Sequence, residues 1–393
     1  MRRLAWILIL ILLLNTGCGV VHEEAAVADT AYVAGEPHLY PTLHGVGILE
    51  GNELAAGLTQ RQRQLVVGWL DLYYESLATL TLQSSAELFT TDASRWSDRL
   101  VDYQIIQRAM QAQDLTLTFF RYTAEVVAAE PTETGVSVEL RVDDIQQFTA
   151  CPGVQSRRFQ VWFTFQLAEQ NGTWYLTDYM DSFREIYTQR YPEATYEEDY
   201  WSGKIDELPD LFALWAEPSL PGEEPACSNP YDRQAAAEYA QAYCISRNSA
   251  WADYSEKGGN CQNYVSQCLL AGGIPMDYTD PAQWNSETGG SEIRSPSWAW
   301  VQGFAAYAAE NTGYGLSAEV DVPYYSGNIG DVLQMGLEEN CHHSTVIVGL
   351  VQDEQGKTVD YLLNSNTANL QNFPASAYPY PYRSLIRIYG WNE

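Results

Sequence analysis

The feature of this 393-residue sequence that most restricts its fold is a pair of segments in which apolar and polar residues alternate, joined by a tight turn. Apolar residues occupy every second position over 159–167, and the alternation resumes over 174–176. Between them lies Asn171-Gly172, the strongest short signal for a two-residue hairpin turn. Because successive strand side chains point to opposite faces, this pattern predicts an antiparallel hairpin with one buried face.

Helical segments precede this hairpin. Thr59 and Gln62 have the spacing of a capping box, and apolar residues then recur at helical intervals. A second helical stretch covers residues 99–113, and residues 136–142 alternate as a further strand. Helices followed by antiparallel strands predict an α+β domain over residues 59–190.

The order of elements in this first domain is similar to small cone-shaped domains that bind ligands or partners. Three residues beyond the hairpin are interpreted as a solvated strand end: Asp178, Tyr179 and Asp181. The domain shows no catalytic cluster in the sequence, so its role is left open.

The N-terminus has the organisation of an export signal. A basic start is followed by an uninterrupted apolar run from Leu4 to Leu14. Such a run rises about 16 Å as a helix, too short for a hydrocarbon core of about 30 Å. Residues 1–17 are therefore predicted to be a signal peptide. Small residues before Cys18 resemble a bacterial lipobox, although Asn15 replaces the usual aliphatic residue. We predict a lipoprotein on the outer face of the cell membrane, with plain secretion as the alternative.

Two further segments lack the periodicity of folded elements. Residues 18–58 carry Pro and Gly without sustained periodicity and are predicted to be a tether. Residues 191–228 are rich in Asp, Glu and Pro and are predicted to be a solvated linker. This leaves residues 229–393 as a second folded domain.

The charge balance argues against two classes of partner. Lys and Arg number 21 and Asp and Glu 51, giving a net charge of −30. Nucleic acid and anionic lipid both reward cations, so neither is an expected partner, and membrane contact is expected only through a lipidated Cys18. Apolar residues make up 46% of the chain, which favours a folded protein over a disordered one.

The candidate catalytic residues lie in the C-terminal domain. Gly258-Gly259 leads directly into Cys261, and a helical pattern then runs to Ala271, where Gly272 can close the helix. A Cys in the first turn of a helix gains thiolate character from the helix dipole. Cys261 is therefore the candidate nucleophile, whereas Cys268, on an apolar helix face, is expected in the core.

A Cys nucleophile requires a base, and few His residues are available. His342 and His343 are the only candidates in a predicted folded domain, and His343 begins a buried strand followed by a hairpin. A hairpin centred between residues 354 and 355 pairs His343 with Asn366, and a shifted register pairs it with Asn364 instead. An Asn amide beside imidazole can fix its tautomer and orientation. The adjacent His342 is expected to face solvent.

Metal and disulfide interpretations are weaker. Cys341, His342 and His343 are adjacent and cannot easily converge on one ion, so no metal or other cofactor is expected. Seven Cys are too few for a disulfide scaffold. Setting aside Cys18, Cys261 and Cys268 leaves four Cys with three possible pairings: Cys151, Cys227, Cys244 and Cys341.

Several motifs of the C-terminal domain carry a family resemblance. They are Tyr231-Asp232-Arg233-Gln234-Ala235-Ala236, the run Cys261 to Gln267, Ser295-Pro296-Ser297-Trp298, Gly330-Asp331-Val332 and His343-Ser344. The region resembles bacterial "putative amidase" domains of the papain-like superfamily of cysteine peptidases and amidases. The resemblance implies a papain-like domain, with a Cys helix packed on an antiparallel sheet. It also implies a nucleophile at Cys261 and a base at His343. The family often has His where Asn366 stands, so this position departs from its pattern.

These observations predict an exported cysteine amidohydrolase or peptidase. An acyl-enzyme would form on Cys261, with His343 as base and Asn366 as its orienting residue. The substrate would be an amide or peptide, and the envelope location suggests a peptidoglycan stem peptide by analogy. A non-catalytic envelope binding module and a cysteine acyltransferase are the alternatives.

Overall fold

The computed structural model describes residues 44–111, 115–216, 225, 227–337 and 340–393. The predicted signal peptide, Cys18 and most of the predicted tether lie outside the described residues. The strands are β1 (His44–Leu49), β2 (Leu117–Pro131), β3 (Gly135–Phe148), β4 (Ser156–Gln170), β5 (Thr173–Asp181), β6 (Asn229–Pro230), β7 (Gly315–Val320), β8 (Val332–Gly336), β9 (His343–Gln352), β10 (Thr358–Ser365), β11 (Leu370–Pro374) and β12 (Tyr382–Asn392). The α-helices are α1 (Glu53–Gly57), α2 (Gln60–Thr79), α3 (Thr91–Gln111), α4 (Ser182–Arg190), α5 (Glu198–Ala216), α6 (Arg233–Tyr243), α7 (Cys261–Ala271), α8 (Pro296–Ala299) and α9 (Val301–Glu310).

These strands form one sheet, and with the helices they make a mixed α+β structure, which confirms the α+β part of the predicted fold class. Its order is β1-β2-β3-β4-β11-β10-β9-β8-β12-β6, with β5 also pairing with β4 and β7 with β12. Strand β1 is parallel to β2, and the other pairings are antiparallel. The predicted domains therefore share a sheet.

Strand β4 forms the junction between the two halves. Its residues Arg157 and Arg158 pair with β11, whereas residues 163–170 pair with β5. Gln160, between these two pairings, has a positive φ of 56°, which breaks the regular strand. The sheet consequently forks at this point, and the fork leaves room for a cavity between the halves.

Two apolar cores lie on opposite faces of the C-terminal strands. Helices α6, α7 and α9 cover one face in a core that includes Val265, Trp298 and Val346. The other face joins a larger core that contains Trp69 of α2 and Ile347 of β9. Burial on both faces explains why β9 reads as a continuous apolar run.

The N-terminal pattern predictions are largely confirmed. Thr59 caps α2, and Gln62 completes the reciprocal capping box. The hairpin at Asn171-Gly172 joins β4 and β5 as expected. Within the described residues, no helix is both long and apolar enough to cross a membrane.

Both segments assigned to unstructured chain contain folded elements. In the predicted tether, β1 pairs with β2 and Leu49 is fully buried. In the predicted linker, α5 buries Trp201, Leu208 and Phe212. The tether and linker predictions are therefore wrong for residues 44–58 and for α5. The apolar residues of α5 lie at helical spacing, but the surrounding acids and Pro209 obscured that pattern.

The interpretation of the end of β5 as solvated is also wrong. Tyr179 is 1% exposed and Asp181 is 3% exposed. Asp181 caps α4 by accepting a hydrogen bond from the Arg184 N–H at 2.7 Å. Its polarity reflects a helix cap at the junction of the two halves.

Candidate active site

The predicted nucleophile lies at the position that the sequence indicates. Helix α7 begins at Cys261 and ends at Ala271, with Gly272 as its C-cap. The preceding Gly258 and Gly259 have φ values of +97° and +108°, where L side chains are rarely tolerated. They let the chain turn sharply into α7.

The Cys261 thiol is buried and surrounded by hydrogen-bond donors. Burial raises the pKa of Cys261 above its ordinary value, while the backbones of Ser344 and Gln262 and the Thr367 side chain oppose this by favouring the thiolate. The net direction is upward. At neutral pH the resting group is therefore a thiol that becomes a better nucleophile when its proton is removed.

The predicted base is the first residue of β9. The His343 side chain is 5% exposed. Its ring centroid lies 5.9 Å from that of Tyr378 and 5.6 Å from that of Tyr380. Burial, with a smaller contribution from His342, lowers the pKa of His343 to about 3. The imidazole is neutral at physiological pH, as a proton acceptor must be. The neighbouring His342 is exposed, as predicted.

A residue that sequence reasoning missed holds the other side of this ring. Ser365 Oγ lies 3.1 Å from His343 Nε2 and donates its own proton to the Thr367 carbonyl at 2.8 Å. Because the hydroxyl proton is committed, Ser365 accepts from Nε2–H. This fixes the tautomer and leaves Nδ1, which has no hydrogen-bond partner among the described residues, as the basic nitrogen.

Neither predicted Asn makes a hydrogen bond to His343. The expected register is wrong by one residue, since β9 and β10 pair Val346 with Asn364 and Ile347 with Leu363. Two register shifts interrupt this pairing, and a change of one residue moves side chains to the opposite face. Asn364 instead accepts from the Asn372 N–H at 2.7 Å.

Asn366 braces the loop that carries the nucleophile. Its Oδ1 accepts a hydrogen bond from the side chain of Asn260. Its Nδ2 donates to the carbonyls of Tyr243 at 2.5 Å and Ser246 at 3.0 Å. Both protons of the Asn366 amide are therefore used away from His343. Asn366 is therefore bonded to Asn260, the residue that precedes Cys261, and it positions the loop that leads into α7.

Ser344 aligns the nucleophile helix with the histidine strand. Its hydroxyl donates to Gln262 Oε1 at 2.7 Å, and, against the larger effect of burial, its backbone lowers the pKa of the Cys261 thiol. Since Ser344 follows His343 directly, these contacts fix the start of α7 against the start of β9. Helix α7 and strand β9 are thus joined where each begins.

The remaining polar residues of α7 brace neighbouring segments. Asn263 donates to the Ala252 carbonyl at 2.9 Å and accepts from the Trp298 indole at 2.8 Å. Gln267 accepts from the Tyr239 hydroxyl at 2.7 Å. Cys268 is fully buried in the core, which confirms its predicted role.

Cys261 and His343 open onto the same cavity, which occupies about 1360 Å³ between the two halves. One side, which we call the Cys261 wall, comprises Cys261, His343, Thr367, Tyr378 and Tyr380. A second group of lining residues, which we call the α3 wall, comprises Tyr73, Gln104, Arg108 and Arg158. The volume exceeds the roughly 300–1,000 Å³ of small-molecule sites and can accept a peptide.

No direct hydrogen bond joins Cys261 to His343 in the described part of the chain. The two residues are linked through Ser344 and share Tyr380, whose pKa is raised chiefly by burial and further by Cys261. Catalytic hydrogen bonds are often loose before substrate binds.

Within the described ranges, we find neither a metal-binding cluster nor a disulfide. No group of three or more His, Cys, Asp or Glu in these ranges could hold a metal ion. The six described cysteines are free thiols: Cys151, Cys227, Cys244, Cys261, Cys268 and Cys341. None of the three possible disulfide pairings is therefore formed in this structure.

Comparison with known proteins finds a similar domain in the region that contains Cys261 and His343. Residues 230–389 match a family model described as "Putative amidase domain", which supports an amidase domain and, at a coarse level, a hydrolase. The chain is also similar to "Uncharacterized protein YhbB" of Bacillus subtilis (strain 168), with 48% identity over 46 residues. That match covers 12% of this chain and 14% of the relative. No solved structure matches the chain.

Proposed function

We propose that this protein is a cysteine-dependent amidohydrolase that cleaves a peptide or related amide in the cavity between its halves. The observation that carries the proposal is the tie between Cys261 and the start of β9. The Ser344 hydroxyl donates to Gln262 beside Cys261, and the Ser344 backbone favours the Cys261 thiolate. The adjacent His343 has its Nε2 held by Ser365. Together these contacts supply a nucleophile, a base and an orienting residue on one wall.

The first half of the reaction is attack by sulfur on the amide carbonyl carbon. His343 Nδ1 takes the Cys261 proton as the carbon–sulfur bond forms. The imidazolium then gives that proton to the leaving nitrogen as the carbon–nitrogen bond breaks. The product is a thioester on Cys261 and a free amine. Because thiol and imidazole are both neutral at rest, proton transfer accompanies attack.

The second half returns the enzyme to its starting state. His343 removes a proton from water, the hydroxide oxygen attacks the thioester, and the carbon–sulfur bond breaks. The sulfur recovers the proton from His343, and a carboxylic acid leaves. If an amine replaced water, the same residues would perform acyl transfer. Product analysis with and without an added amine distinguishes the two reactions.

The location of the protein is part of the proposal. Export by the signal at residues 1–17 and lipidation at Cys18 would place the cavity at the outer face of the cell membrane. Peptidoglycan stem peptides are then the available amide substrates by analogy. A Cys18→Ala variant should move from the membrane fraction to the soluble fraction. Retention at the membrane would contradict anchoring through Cys18.

The reaction is tested with full-length protein and a panel of stem peptides. Release of amine is followed with an amine-reactive dye and products are identified by mass spectrometry. We expect wild-type protein and Cys268→Ala to release amine, and Cys261→Ala to be inactive. The Cys268 variant is a matched control, since its sulfur lies on the same helix but in the core.

A substrate-independent measurement separates the enzyme from a binding module. Alkylation of Cys261 by iodoacetamide is followed by peptide mapping in wild-type protein and in His343→Gln. If His343 is the base, the variant should react at least about tenfold more slowly than wild type. Equal rates would show that His343 does not activate the thiol and would favour a non-catalytic binding role.

A further inference from the structure

One buried cation in the cavity lacks a partner. Arg108, on α3, is 4% exposed and lines the α3 wall. Within the described ranges, its guanidinium makes no hydrogen bond or ion pair, and the enclosed Nη1 is unsatisfied. Burying a charge without a partner is costly. Such a group in a native protein requires an explanation, and a ligand is one.

A second unsatisfied donor lies one helical turn away. Gln104 is 6% exposed, and its Nε2 is enclosed without a partner. Its Oε1 accepts from the Tyr73 hydroxyl at 3.2 Å, so the amide orientation is set. Residues four apart lie on one helix face. Both side chains line the cavity, and each carries a nitrogen donor without a partner in the described part of the chain.

The Asp144 carboxylate favours the charge of Arg108, but it accepts hydrogen bonds from Arg158 and Tyr74 and none from Arg108. Arg158 donates to Asp144 at 2.7 Å and to the Tyr74 hydroxyl at 2.9 Å. Asp181, which also lines the cavity, caps α4. Burial lowers the pKa of Arg108 to about 10, so the group keeps its charge at neutral pH. The missing partner is therefore an anion.

The α3 wall is connected to the Cys261 wall by a short chain of contacts. Gln107, next to Arg108, donates to the Tyr378 carbonyl at 2.5 Å. The Tyr378 ring lies 5.9 Å from the ring of His343. An anion held by Arg108 would thus be anchored in the same cavity as the reacting groups.

We propose that Arg108 and Gln104 form a carboxylate-binding subsite, and that the substrate is an amide or peptide carrying a carboxylate group. A carboxylate supplies two acceptor oxygens and matches the planar guanidinium. The assignment of substrate class rests on the proposed amidohydrolase function, whereas the binding of carboxylate does not.

Binding is measured on full-length Cys261→Ala protein, which cannot turn over the probe. Calorimetry compares N-acetyl-alanyl-alanine, which has a free carboxylate, with its C-terminal amide. We expect the carboxylate to bind about tenfold more tightly, and Arg108→Gln to remove this preference. Gln104→Leu should reduce it by a smaller factor. Equal binding of the two probes, or binding of neither, would overturn the subsite.

The control is a cation on the same helix. Arg99 is partly exposed, pairs with Asp102 at 3.2 Å and does not line the cavity, so Arg99→Gln should keep the preference for carboxylate. Without ligand, Arg108→Gln should have the same melting temperature as its parent or a higher one, because no partner is lost. A clear decrease would assign Arg108 a structural role and overturn the proposal.

The two proposals fail separately. If the Cys261→Ala protein prefers carboxylate through Arg108 but wild-type protein cleaves nothing, the subsite stands without the enzyme. If wild-type protein cleaves acidic and neutral amides equally well, the enzyme stands and the subsite is overturned.

Discussion

The two walls of the cavity differ in how the polar groups beside them are partnered. On the Cys261 wall, the His343 ring is held by Ser365 and Asn366 uses both of its amide protons, although the Tyr378 hydroxyl there is enclosed without a partner among the described residues. On the α3 wall, Arg108 and Gln104 retain enclosed donors without partners. A satisfied network fixes geometry before substrate arrives, whereas unsatisfied donors gain a partner only when ligand binds. This contrast is what we expect if the Cys261 wall carries the proposed chemistry and the α3 wall the proposed carboxylate site.

The largest expected effect comes from removing the nucleophile. Cys261→Ala should lower the rate of amine release by at least about 10⁴-fold, because no acyl-enzyme can form. Binding on the α3 wall should be unchanged. Activity comparable to wild type would place the chemistry elsewhere and remove the distinction between the walls.

Loss of Asn366 should act on stability. Asn366→Ala leaves two carbonyls and the Asn260 amide without their partner, which should lower the free energy of unfolding by about 2–4 kcal/mol. Urea denaturation measures this, with the exposed Asn340→Ala as control. A loss no larger than that of the control would show that Asn366 does not brace the nucleophile loop.

Loss of Ser365 should act on turnover. Ser365→Ala frees the His343 ring, and we expect kcat to fall about 10- to 100-fold with little change in KM. Ser326→Ala, outside the cavity lining, is the control. A rise in KM with constant kcat would contradict an orienting role, because it would indicate lost substrate binding.

The buried His343 should also couple stability to pH. Its pKa is about 3 in the folded chain against an ordinary 6.5. Between these values the unfolded chain binds a proton that the folded chain does not. Stability should therefore fall as the pH drops from about 6.5 towards 3, by about 1.4 kcal/mol per unit. Above that window this contribution is constant.

The pH dependence is isolated by comparison with His343→Gln. The unfolding free energy of wild type minus that of the variant should decrease as the pH falls from 7 to 4.5, because only wild type loses the contribution of His343. Other titrating groups contribute equally to both proteins and cancel. A difference independent of pH would mean that His343 is accessible to protons in the folded state.

Local patterns predicted the parts of the site that lie on single elements. The double glycine and the apolar spacing located the helix start at Cys261, and the apolar run located His343 on a strand. The partner of His343 was predicted incorrectly, because bulges between β9 and β10 shift the register by one residue. Bulges leave little trace in the sequence, yet each exchanges the faces of a strand.

The sequence by itself determined the helix and strand periods, the capping box, the α+β class and the elements on which Cys261 and His343 lie, because these depend on neighbours along the chain. Only the tertiary structure decided that Ser365 holds His343, that Asn366 braces Asn260, and that α3 brings Arg108 into the same cavity. These relations join residues far apart in sequence, and they are set by strand register and by the packing of one half against the other.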